Sequence, residues 1–252
     1  MNELPQKQGL ALVLNAYGRA LRSLLQPAIF WHLLWPTALS AIIWIVVAWL
    51  SWDTVGAGIE RLFNEVGWLN WILQRWDDSA LAATIFAKVV LGLLLIPLIY
   101  STAMLIVAVF ALPLMLERVA ARDYPELEQR RGGTLAGSIG NALLAATVFM
   151  VGWVITLPLW LIPGMAIILP VLLSAYLNYR GYSYDALSVH GDAEEIRTTI
   201  ARERGQLYLT GIFAGLLVYI PVINLVTPAY AGLTFIHYGL ETLRRSRHAE
   251  KK

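Results

Sequence analysis

Residues 134–179 read TLAGSIGNALLAATVFMVGWVITLPLWLIPGMAIILPVLLSAYLNY, 46 residues without a formal charge. A helix crosses the hydrocarbon core of a bilayer with about 20 apolar residues. The stretch is therefore too long for one helix and has room for two arms. Pro158 and Pro163-Gly164 lie at its middle. Proline removes a backbone donor and clashes with the preceding turn, so it ends or kinks a helix. The reading is a Pro-broken helical hairpin, either two spans or one deep insertion.

Three other apolar stretches follow the same logic. Residues 27–50 carry no formal charge, and residues 79–116 carry one, Lys88. Each is predicted to be a long transmembrane helix, the second overlong and tilted or running on into the cytoplasm. Residues 206–240 carry no formal charge and are broken by Pro221 and Pro228. The first arm, 206–220, covers only about 22 Å as a helix. That falls short of a bilayer core of about 30 Å, so this second hairpin is predicted to penetrate partly and return to its own side.

The composition agrees. Of 252 residues, 58% are hydrophobic and 14% charged, with mean hydropathy +0.61. Ordinary soluble chains carry about 25% charged residues. The absence of cysteine excludes disulfides, thiolate metal sites and a cysteine nucleophile. A net charge of +2 argues against a nucleic-acid partner. The fold class expected is an all-α integral membrane protein, a single membrane domain over 1–252.

Basic residues mark cytoplasmic segments. Sixteen of the 19 Lys and Arg lie before Pro27, in 117–133, in 180–205 or after Leu240. Residues 51–78 hold only Arg61 and Arg75 beside five acids. One topology satisfies this: both termini cytoplasmic, one outer loop over 51–78, and both hairpins returning to the inside. Residues 10–25 place Leu10, Leu14, Tyr17, Leu21 and Leu24 at helical spacing, with Arg19 and Arg22 off that stripe. They read as an amphipathic interfacial helix. Residues 192–204, acids first and bases last, match the helix dipole and read as a structural helix. Residues 241–252 form a basic tail that either binds anionic lipid or stays disordered.

Chemistry-bearing motifs are scarce. HExxH, GxSxG, P-loop and GxGxxG patterns are absent, so no enzyme activity and no cofactor is expected. The four histidines are scattered, and His32 and His237 read as interfacial aromatics. Gly133-x-x-x-Gly137 and Gly211-x-x-x-Gly215 suit close helix packing. Lys88 lies about 13 Å into its span. A charge there costs at least about 2.5–3.5 kcal/mol, so it either lines an anion path or snorkels to the outer surface. Gly164, Asn224 and Thr227 lie at the hairpin breaks. A helix restarting there would point free N–H groups and its dipole inward, which suits an anion. The competing reading is that these residues merely form turns. Lys88, Gly164, Asn224 and Thr227 are the candidate substrate-binding residues.

Several landmarks recur in order: Ala111-Leu-Pro113 before Glu117-Arg118-Val119, Leu161-Ile-Pro-Gly164 with Pro170 and Tyr184-Asp185, Ile196-Arg-Thr-Thr-Ile-Ala-Arg-Glu-Arg204, and Ile220-Pro-Val-Ile-Asn-Leu-Val-Thr-Pro228 with Gly232. With Pro36, they make the sequence resemble the bacterial CysZ sulfate-permease family, which shares its domain with the eukaryotic etoposide-induced protein. The resemblance runs from Leu10 to Arg245. It implies an inner-membrane protein with two long spanning helices and two partly penetrating hairpins. It also implies homo-oligomers among membrane lipid and uptake of a small inorganic anion, sulfate above all. One departure stands out. The family's Gly-Leu-Arg-Arg run before the first span is matched here by Ala28-Ile29-Phe30-Trp31. An arginine pair supplies forked donors for an oxyanion, and Phe-Trp does not. The alternative function is a non-transporting oligomeric scaffold, or a factor that handles lipids or membrane proteins.

Overall fold

A computed structural model describes residues 6–65, 85, 95, 99, 102, 106, 110–156, 158–159, 162–224 and 226–250. Among the described residues every regular element is helical. The helices are α1 (Gln6–Leu24), α2 (Pro27–Glu65), α3 (Leu112–Asp123), α4 (Leu135–Thr156), α5 (Met165–Leu187), α6 (Ala193–Arg202), α7 (Arg204–Leu217), α8 (Pro221–Asn224) and α9 (Thr227–Glu250). The chain divides into two compact units, Met1–Leu33 with Ala108–Lys252, and Leu34–Val107.

In the smaller unit, α2 does not stop at Leu50, where the outer loop was expected to begin. It runs on to Glu65. Gly56 and Gly58 weaken this part without breaking it, because neither removes a backbone hydrogen bond as proline does. Pro36 is accommodated inside the helix. The Ser40 hydroxyl donates to the Ile99 carbonyl at 2.7 Å, and Trp44 Nε1 donates to Thr102 Oγ1 at 2.9 Å. Many outward residues up to Leu50 are apolar, with Trp49 77% exposed. Lys88, the rest of the outer loop and most of 79–116 lie outside the described residues.

The larger unit is built around α9. Residues Ala231 to Leu243 of that helix are all buried, packed by α1, α3, α5 and α7. Both hairpins exist as helix–turn–helix units. In the first, α4 and α5 run antiparallel, as Gly137 against Tyr184 and Gly152 against Leu173 require. Gly164 closes the turn at φ 87°, a left-handed conformation that glycine adopts without steric cost. In the second, the arms are α7 and α9, with α8 between them. Pro228 does not break this stretch. It sits in the first turn of α9, where its missing donor costs nothing. The expected tail 241–252 is helical to Glu250, because Arg244 and Arg247 are drawn into ion pairs with Glu126, Glu241 and Glu195.

The glycine spacing is explained by contact. A Cβ at Gly211 would lie 2.4 Å from the Ala175 carbonyl, and one at Gly215 3.3 Å from that of Val171. These two positions let the α5 and α7 backbones touch. The expected stripe on α1 is also exposed at Leu10, Leu14 and Leu21. The adjoining face, with Val13, Ala16 and Ala20, is buried. The helix is thus apolar on two sides, one turned inward and one outward.

Among the described residues, two helices, Pro27–Ser51 of α2 and α4 itself, are long and apolar enough to cross a bilayer. Ala145 is the buried residue of α4, while Leu143, Val151, Val154 and Ile155 are exposed. In water such a surface would cost about 25 cal/mol per Å2 of apolar area. In lipid it costs nothing, which is the physical reason a helix of this composition survives uncovered.

Candidate anion site at the start of the first long helix

The sequence departs from the family pattern at Ala28-Ile29-Phe30-Trp31, the first turn of α2. The backbone there offers little to a ligand, since the Ile29 and Phe30 N–H groups donate to the Gln26 carbonyl at 3.0 and 2.8 Å. The cation comes from elsewhere in the chain. On α3, Leu112, Met115, Leu116, Val119 and Ala120 form the buried face. This turns Arg118 outward. Its Nη1 donates to the Ala28 carbonyl at 2.9 Å and lies 2.8 and 2.9 Å from His32 Nδ1 and Nε2. His32 Nδ1 is 2.6 Å from the same carbonyl. The consistent assignment has Nδ1–H donating to Ala28 and Nε2 accepting from Arg118. One guanidinium nitrogen is therefore anchored, and the fork is held at the mouth of α2. A guanidinium with open N–H groups binds an oxyanion through short, charge-assisted bonds.

Behind this site lies a buried polar network. Arg19 donates to the Tyr124 hydroxyl and to Glu241 Oε2, each at 3.1 Å. Glu241 also accepts from Arg244 at 2.6 Å and from Arg245 at 2.9 Å. Burial works to raise the Glu241 carboxyl. Hydrogen bonds from Arg245 and Arg244, with the charge of Arg19, overcome it and hold the carboxyl below its ordinary range. Burial also pushes the Tyr124 hydroxyl up to about 12, against the pull of Arg19. His237 is in this core rather than at an interface: it is 1% exposed and 2.9 Å from Ser23 Oγ. Arg19 is thus committed to Glu241.

A second ion-pair frame bolts α6 to the end of α9. Asp192 and Glu195 form a reciprocal capping box, each side chain accepting from the other's backbone N–H at 2.8 Å. Glu195 also accepts two bonds from Arg247 at 2.9 Å and one from Arg130 at 2.9 Å. The Arg130–Gly133 strap lies against residues 188–191, and a Cβ at Gly132 would fall 2.3 Å from the Ala193 nitrogen. The structural reading of 192–204 agrees with this. The hydrogen bond from Arg247 is the main force holding the Glu195 carboxyl below its ordinary 4.5. Its stabilisation is then complete above pH 4.5 and lost as pH falls through the depressed folded value. Melting curves followed by circular dichroism between about pH 7 and about pH 3 should show that acid loss, and Glu195→Gln should flatten it. Equal slopes in both proteins would show that the frame is not the acid-sensitive element.

The other predicted residues are placed as follows. Lys88 lies outside the described residues. Gly164 opens α5, but its carbonyl accepts from Ile167 and Ile168, and Met165 donates to Ile162, all at 3.1 Å. Those N–H groups are used locally. Asn224 ends α8 half-buried. Thr227 is buried, and its hydroxyl donates to the Ile223 carbonyl at 2.8 Å. The two hairpin tips do meet: the Tyr219 hydroxyl reaches the Ile167 carbonyl at 3.5 Å. Around them Ile162, Ile168, Val218 and Ile220 are exposed, so the surface around the tips is apolar. Among the described residues no group of three His, Cys, Asp or Glu could hold a metal. Arg118 was legible only as part of a landmark. Nothing in its spacing points to Ala28, 90 positions earlier.

No curated protein and no solved structure matches the chain. A family model described as Sulfate transporter CysZ/Etoposide-induced protein 2.4 matches residues 16–228, which include α2, α3 and both hairpin turns. By that match this membrane protein belongs to the Sulfate transporter CysZ/Etoposide-induced protein 2.4 family.

Proposed function

We propose that the protein is a CysZ-like permease or channel for a small anion, sulfate being the first candidate, in a bacterial inner membrane. The observation that carries the reading is Arg118, a guanidinium fixed against the first turn of α2 in a chain that lacks the family's arginine pair there. It supplies one of the two missing forks from a different helix. In this reading the protein moves the anion without covalent chemistry. It acts as a homo-oligomer surrounded by lipid, with both termini cytoplasmic. The hairpins support that topology. Their turns are apolar and exposed, while Arg180 and Arg204 stand at the ends away from the turns. Each hairpin enters from the cytoplasmic face and returns to it.

The direct test is flux of labelled sulfate into liposomes carrying the full chain. Flux well above that of empty liposomes is the expected result, and Lys88→Ala should reduce it, since an intramembrane charge marks an ion path. Background flux from folded protein, for sulfate and other small anions alike, would overturn the permease. A second reading, a non-transporting scaffold or lipid-handling factor, is favoured by the replaced arginine pair and the apolar tips. It predicts that background result.

A further inference from the structure

At the opposite end of the hairpins from the tips, α4, α5, α6 and the first residue of α7 enclose a cavity of about 580 Å3. Arg180, Arg197 and Arg204 line it together with Tyr176, Tyr179 and Ser183. Among the described residues no carboxylate lines it. Arg197 is held by Glu194 of its own helix at 2.8 Å. Arg180 Nε and Ser183 Oγ are both buried and have no hydrogen-bond partner. Leaving a buried donor unmade is costly, and both atoms belong to residues of this basic lining.

We propose that this cavity seats the phosphate headgroup of an anionic phospholipid. A free ion would answer the charge, but the cavity offers more than charge. It is far larger than a bare tetrahedral ion needs, and Ile196, Ile200 and Ala201 give it an apolar side. Tyr176, Tyr179 and Tyr208 form a chain of edge-on rings beside it, with centroids 6.4 and 6.3 Å apart. Tyrosine favours the headgroup level of a bilayer. Asn141, also in the lining, begins the uncovered apolar flank of α4 through Leu144, Val148 and Val151. That flank gives acyl chains a surface to lie on. Basic pockets between membrane helices on the cytoplasmic side hold anionic headgroups by this combination. The site is separate from Arg118 and does not depend on transport.

The test is native mass spectrometry of the full chain in detergent, with phosphatidylglycerol or phosphatidylcholine added. Wild-type protein should retain phosphatidylglycerol in preference. Arg180→Gln with Arg204→Gln should weaken that retention by roughly 25-fold, the change expected for losing two basic contacts. Ala201→Phe keeps every charge and narrows the cavity from its apolar side, so it should weaken the preference as well. Circular dichroism and elution volume establish that both variants are folded. Unchanged preference in the folded variants overturns the site. Equal retention of the two lipids by wild type overturns it too. Displacement of phosphatidylglycerol by millimolar sulfate or inorganic phosphate would assign the cavity to a free ion instead. Background sulfate flux would sink the permease and leave this result standing.

Discussion

Arg118→Gln should lower sulfate flux by at least tenfold, with little change in melting temperature. The side chain is exposed and touches the protein through one nitrogen, at Ala28 and His32. Its loss therefore removes little packing. What disappears is the fixed charge at the mouth of α2. A hydrogen bond to a charged group is worth about 1.5–3 kcal/mol, or roughly ten- to hundredfold in anion affinity. Arg118→Lys should recover part of the flux, since it keeps the charge and loses the fork. His32→Ala should give an intermediate loss, because His32 positions Arg118 rather than meeting the anion. Wild-type flux from folded Arg118→Gln protein would remove Arg118 from the path. A fall in melting temperature that matches the fall in flux would make it structural instead.

Gly211→Val should separate α5 from α7 and give the largest stability loss of any single change considered. A Cβ there would stand 2.4 Å from the Ala175 carbonyl, against backbone that has no rotamer to yield. Overpacking costs about 1–3 kcal/mol where side chains can shift. Here the backbones must part, so at least about 3 kcal/mol is expected, or a drop of roughly 10 °C in melting temperature. The control is Gly18→Ala, where a Cβ meets nothing within 4 Å. It should be neutral or gain up to about 1 kcal/mol from helix propensity. Similar melting temperatures for the two variants would mean that α5 and α7 do not touch at Gly211. The same change should also disturb the Arg180 cavity, which α5 and α7 both line.

Most of the architecture was legible along the chain because helix, span length and break are local properties. The uncharged runs set the long helices. Pro163-Gly164 placed the first turn within a residue or two of where it lies. Gly211-x-x-x-Gly215 announced a close contact, although not its partner. The apolar part of α2, Pro27–Ser51, ends where the uncharged run ends, and the helix continues to Glu65 because the sequence after Leu50 loses hydropathy without losing helix propensity. The sequence leaves the basic tail either lipid-binding or disordered, because the partners of its arginines lie on other segments or cannot be told from spacing. In fact Glu241 and Glu195 bind Arg244, Arg245 and Arg247.

The uncharged runs and their prolines were enough, unaided, to establish a helical membrane protein with two hairpins, since a bilayer constrains length and polarity one segment at a time. Which arginines act was left to packing. Arg19 is consumed by Glu241, Arg118 is delivered to Ala28 from α3, and Arg180 is left with a buried unpaired nitrogen beside Ser183. These assignments depend on which helix faces pair. A periodic pattern shows that a residue lies on a given side of its own helix. It carries no information about which charge, from another helix, stands across from it.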